Sequence, residues 1–153
     1  MQKYFLSVLS RLFNTHTNDV ILLDPILDQQ AQQYLRECLS LLVNRELPHN
    51  WHLVPSSEYA WVAYLREIPD IFPRSIYFKL YLNRNRWERL KSTIRGSRAR
   101  RARQQNELLV TYGFNAPKTY GWGIMGQSEF LLTQGLTGQG LADYIYSHWR
   151  HPL

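Results

Sequence analysis

The stretch Ser75-Ile76-Tyr77-Phe78-Lys79-Leu80-Tyr81-Leu82 decides how the fold is read. Ile76, Phe78, Leu80 and Leu82 occupy every second position, a period of two that predicts a strand with one apolar face. Lys79 falls on the other face, with Tyr77 and Tyr81. Upstream, residues 51–54 and 59–65 are equally rich in aromatic and β-branched side chains and predict two more strands. Pro55-Ser56-Ser57 separates these two, and residues 67–74, with two prolines, separate the second from the third. The three segments predict an antiparallel meander. Downstream, residues 84–91 predict a helix, Gly96 breaks it, and Ser97 as N-cap and Gly113 as C-terminal stop bracket a second helix that ends at Tyr112. Residues 118–123 and 129–133 predict two further strands. The order strand, strand, strand, helix, strand, strand predicts an α+β domain: a five-stranded antiparallel sheet with one crossing helix. The apolar face of 75–82 is expected to pack against that helix through Leu108 and Leu109, which leaves Lys79 on the opposite surface.

Outward from this centre, residues 20–23 read as a short strand or a buried turn. Asp28 is the expected N-cap of a helix over about 29–45, whose apolar positions are Ala31, Tyr34, Leu35, Cys38, Leu39, Leu41 and Leu42. Cys38 lies on that apolar face and is expected to pack rather than react. Residues 3–13 predict a short amphipathic helix, so residues 1–50 form a helical N-terminal extension to a sheet domain at 51–140. Residues 141–153 open a further helix. The length of 153 residues suits about one domain. A single cysteine excludes a disulfide framework and a cysteine-based zinc site, and points to a reducing compartment. No apolar run is long enough to span a membrane as a helix. The sequence has no Gly-x-Ser-x-Gly, no Walker loop and no His-Glu-x-x-His. His148 and His151 have no acid or cysteine at ligand spacing, so no metal site is expected.

Charge is the next signal. Residues 84–103 hold nine of the eighteen basic residues against one acid, Glu88, a local charge of +8; the rest of the chain, nine bases and eleven acids, carries −2. Such a block is either a solvated arginine-rich helix or the footprint of an anionic partner. Nine bases against one acid exceed what solubility needs. Phosphate groups or an acidic membrane face rank ahead of nucleic acid, because the neighbouring aromatics do not interleave through the block as a stacking platform would. Arg95, Arg98, Arg100, Arg101 and Arg103 are the expected anion-binding residues.

Four runs carry a family resemblance: Ile76-Tyr-Phe-Lys-Leu-Tyr81, Leu90-Lys-Ser-Thr-Ile-Arg-Gly-Ser-Arg-Ala-Arg100, Tyr112-Gly-Phe-Asn-Ala-Pro117 and Glu129-Phe-Leu-Leu-Thr-Gln-Gly-Leu136. Over about 51–146 the chain resembles the lipopolysaccharide core sugar kinases, the Kdo and heptose kinases of the protein-kinase-like superfamily. The resemblance implies the N-terminal lobe of a kinase-like fold. It also implies a cytoplasmic protein, peripheral on the inner face of the inner membrane. Its activity would be phosphoryl transfer from ATP, with Mg²⁺, to a sugar hydroxyl of a lipid-linked glycan. On this resemblance Lys79 is the lysine that meets the α- and β-phosphates. Ser56 and Ser57 stand where a phosphate-covering loop would sit, or form a plain hairpin turn. Backbone groups around Gln134 and Leu136 would bond the adenine edge. Glu107 pairs with Lys79, or with Arg103 one helical turn away. The superfamily's catalytic and Mg²⁺-binding aspartates belong to a second lobe. After Thr133 the only acid is Asp143, so that lobe is expected to be absent, with no catalytic residue in this chain and no turnover by it alone. The rival reading is a non-catalytic basic module that binds anionic lipid, phosphorylated glycan or nucleic acid.

Overall fold

A computed structural model describes residues 19–82, 97–126 and 128–138. The helices expected at 3–13, 84–91 and 141–149, and Arg95, lie outside them. The described chain runs β1 (Val20–Leu23), α1 (Gln29–Val43), β2 (Trp51–Val54), β3 (Ala60–Leu65), β4 (Ile76–Tyr81), α2 (Arg98–Thr111), β5 (Thr119–Met125) and β6 (Ser128–Gln134). The class is α+β, and the strands form one antiparallel sheet in the order β1-β5-β6-β4-β3-β2.

The strand alternation predicted for the central stretch is present. Along β4, Ile76, Phe78 and Leu80 are buried while Tyr77 and Lys79 are exposed. The register carries this alternation sideways. Phe78 stands opposite Ala63 on one side and Leu132 on the other, and Ile76 stands opposite Leu65. These side chains make an inner face, continued by Phe130, whose ring stacks on Phe78 at 5.8 Å. Burying each large apolar side chain is worth ~1.5–3 kcal/mol, so this face dominates the core.

Two expectations change. The sheet has six strands, not five, because β1 pairs along the edge of β5, with Val20 opposite Ile124 and Leu23 opposite Gly121. Each end of β1 is fastened: Asp19 Oδ1 accepts from the Gly126 N–H at 2.9 Å, and the Asp24 N–H donates to the Tyr120 carbonyl at 2.8 Å. The helix on the inner face is also not the expected one. That face shares a single core with α1, whose Ala31, Leu35, Leu39 and Leu42 are all buried. Asp28 caps this helix as expected, accepting from the Ala31 N–H at 2.7 Å. Residues 20–43 therefore contribute a strand and a core helix to the sheet, where a helical extension was expected. Leu108 and Leu109 are 55% and 43% exposed instead of packed. The physical reason is composition. α1 carries a long apolar stripe, whereas α2 opens with four arginines in six residues and buries only Ala99.

α2 lies across the other, outer face. Glu129 stands opposite Tyr81 in the β4–β6 register and so shares the face of Lys79. Its carboxylate accepts from the first N–H groups of α2, Arg98 at 2.6 Å and Ala99 at 3.3 Å. The crossing helix and Lys79 are on the same side of the sheet, the reverse of the expected arrangement. With a helix on each face, β6 is buried on both: Glu129, Phe130, Leu131 and Leu132 are all inaccessible.

Candidate functional site

The outer face is divided. α2 covers its β5–β6 half; among the described residues no helix covers the β4–β3–β2 half, which carries Lys79. Tyr77 and Tyr81 flank Lys79 along the strand, and its ammonium sits 5.3 Å from the centroid of the Tyr81 ring. That distance is within cation–π range, so the ring face holds the lysine head at the sheet surface. A second row crosses the strands beside it. His52, Tyr64 and Tyr77 are register partners on β2, β3 and β4. Their rings follow one another at 5.2 Å and 5.8 Å, and Tyr64 and Tyr77 are stacked. A cation beside a row of ring faces can hold a phosphate and an aromatic group side by side.

Glu129 links this surface to the helix. It is the buried charged residue among those described, 7% exposed. Two backbone N–H groups at the positive end of α2 stabilise its carboxylate. Ser97 completes the helix start by accepting from the Arg100 N–H at 3.0 Å. The Tyr81 phenol is pushed above its ordinary range by burial first and by the Glu129 carboxylate second, against an opposing pull from Arg98. Tyr81 therefore stays neutral near neutral pH and offers Lys79 a ring rather than a phenolate.

The other expected residues divide into groups. Of its two candidate partners Glu107 takes Arg103: the guanidinium Nε donates to its carboxylate at 2.6 Å. Arg103 also lies 5.9 Å from the Trp122 ring. This pair borders a cavity of about 110 Å³ between α2 and β1–β5, with Leu22, Asp24, Thr119 and Trp122 on its walls. One guanidinium against two carboxylates leaves that cavity without the positive charge a phosphate needs. Ser56 and Ser57 occupy the β2–β3 turn. The Ser56 hydroxyl donates to the Ala60 carbonyl at 2.7 Å, and the Ala60 N–H donates to the Ser57 carbonyl at 3.0 Å, so both close the hairpin. The Gln134 N–H donates to the Lys118 carbonyl at 2.8 Å, and its side chain lies near Tyr120, where it partly offsets the upward push of burial on that phenol. Leu136 is exposed just past β6. Arg100 and Arg101 are exposed, while Arg98 is half-buried at the start of α2.

Sequence reasoning placed Lys79 between two tyrosines but missed the third tyrosine, the histidine and Glu129. Tyr64 and His52 join the surface only through strand register. Glu129 had one local signal, an acid opening an otherwise apolar strand; its partners lie 30 and 31 residues away. Among the described residues no three His, Cys, Asp or Glu side chains gather as a metal site, so no step through Mg²⁺ can be derived from them. No family model matches the chain, and no curated protein or solved structure matches it either.

Proposed function

We propose that this chain is the nucleotide-binding lobe of an ATP-dependent sugar kinase that phosphorylates a hydroxyl of a lipid-linked glycan. One observation carries the reading. Lys79 is exposed on the strand that pairs directly with β6, on the face that α2 also crosses. A triphosphate is strongly anionic and must be held in line for transfer, and a fixed cation on a rigid strand serves that need. The ring of Tyr81 pre-positions the ammonium, and the resemblance of residues 51–146 to lipopolysaccharide core kinases supplies the reaction class. In this reading Lys79 binds the phosphates, while Ser56 and Ser57 keep the β2–β3 turn closed beside them. Gln134 and Leu136 lie where β6 leaves the sheet, and the exposed stretch around Leu136 would meet the base. ATP and Mg²⁺ are the expected ligands.

Calorimetric titration of MgATP into the wild type and Lys79→Ala tests this. The wild type should bind, and the substitution should weaken binding at least about tenfold, since a hydrogen bond to a charged group is worth ~1.5–3 kcal/mol. Equal affinity for the two proteins would overturn the assignment. The second reading, a non-catalytic anion-binding module, is favoured by the Arg103–Glu107 bond, which commits the only acid of α2 away from Lys79. Binding of inorganic triphosphate as tight as that of ATP would support it.

A further inference from the structure

The outward side of α2 combines two features that helices in water rarely show together. Its first turn holds arginines and no acid, at the helix end where the backbone dipole is positive and acidic side chains normally stabilise. Glu129 answers two backbone N–H groups from beneath and Glu107 answers Arg103, but Arg100 and Arg101 project to solvent. Further along, large apolar side chains are also in solvent: Leu108 at 55%, Tyr112 at 71% and Phe114 at 63% exposure. The helical repeat explains the grouping. Ala99, Ala102, Arg103 and Asn106 form the less exposed, sheet-facing stripe. Arg101, Leu108 and Tyr112 then fall on the opposite side. One continuous surface is therefore cationic at one end and apolar at the other.

Nucleic acid would satisfy only the cationic end, and a second copy of the chain only the apolar end. An anionic bilayer presents both chemistries within a few ångströms, phosphates at the headgroup level and hydrocarbon just beneath. We infer that the outer face of α2 docks the protein peripherally on an anionic lipid bilayer. Arg100 and Arg101 contact lipid phosphates, and Leu108, Tyr112 and Phe114 enter the headgroup–acyl boundary. None of the described helices is long and apolar enough to cross a membrane, so this contact lies in the interface plane. The inference does not rest on the role proposed for Lys79.

The test is co-sedimentation of the full chain with vesicles of phosphatidylcholine alone or mixed with phosphatidylglycerol. Binding should need the anionic lipid and weaken with salt, as screened charges require. The double variant Arg100→Glu/Arg101→Glu should lose at least about tenfold in affinity, at ~1 kcal/mol per basic residue near the surface. It should keep or raise its melting temperature, because it places acids at the helix N-terminus. Tyr112→Ser/Phe114→Ser should also lose binding, and should leave a weaker, wholly salt-sensitive residue. Lys79→Ala should bind vesicles like the wild type, which separates this outcome from that of the nucleotide titration. Equal binding to neutral vesicles, or unchanged binding by both double variants, would overturn the proposal. So would a concentration-dependent dimer, seen in sedimentation, that Tyr112→Ser abolishes.

Discussion

An ionised carboxylate taken out of water costs several kcal/mol unless charge-assisted hydrogen bonds replace its hydration. Glu129 meets that condition with two N–H groups from a helix that begins about thirty residues earlier in the chain, so it joins β6 to α2 as well as satisfying itself. Glu129→Ala would remove the carboxylate that both N–H groups share, at a site where the Ala99 N–H is buried. It should cost about 2–3 kcal/mol in urea denaturation, given ~1–3 kcal/mol for an unsatisfied buried group and ~1 kcal/mol for a lost cap. Glu129→Gln retains an acceptor oxygen and should cost less. A loss for Glu129→Gln equal to that for Glu129→Ala would mean that the charge, not the acceptor oxygen alone, carries the anchor; no loss for Glu129→Gln would mean that charge has no part in it. Lys79, by contrast, is exposed and can be replaced with little effect on stability.

At the scale of the element, β1 is a four-residue edge strand with Val20 and Leu22 turned to solvent, and it adheres through backbone pairing more than through burial. Gly123 makes the pairing possible. A Cβ at that position would come within 2.0 Å of the Val20 carbonyl oxygen and 3.0 Å of the Phe130 ring. Phe130 is fully buried in the core and cannot yield, so the edge strand must move away. Gly123→Ala should therefore detach β1 and cost roughly 1–3 kcal/mol or more, the range for overpacked sites. Hydrogen exchange is the direct measurement. Amides of residues 20–23 should lose protection while β3 and β4 retain theirs, and retained protection of β1 would count against this account. α2 ends by different physics: Gly113 takes φ +81°, a conformation that glycine adopts without strain, and the helix stops there.

Across the described residues α1 and the sheet share one core, and a polar cluster within that interface is expected to make stability depend on pH. Burial, with Cys38 close by, pushes the Tyr34 phenol up to about 12, and burial also raises the Cys38 thiol. The nearby Trp51 indole partly opposes both shifts, and its buried N–H makes no hydrogen bond. Both groups ionise more readily in the unfolded chain. The stability they support is complete below the unfolded values of 9.0 and 10.0 and is lost as pH rises toward the folded ones. Melting temperature should fall steadily above about pH 9, and Tyr34→Phe should flatten the decline; parallel curves would show that Tyr34 does not contribute. What could be read from residues alone was local. Alternation located β2, β3 and β4 within a residue or so, and Asp28, Ser97 and Gly113 marked helix ends, because caps and period are properties of neighbouring residues. The placing of Lys79 on one face with Tyr77 and Tyr81 followed from the same alternation. Tertiary structure decided what covers each face. Alternation shows that Ile76, Phe78 and Leu80 share a side, but not which helix reaches it. α1 won that position with its apolar stripe, and arginine-rich α2 was left on the side of Lys79. Joining β1 to β5, and His52 and Tyr64 to Tyr77, required pairings between segments distant along the chain, and such pairings arise only when the chain closes on itself.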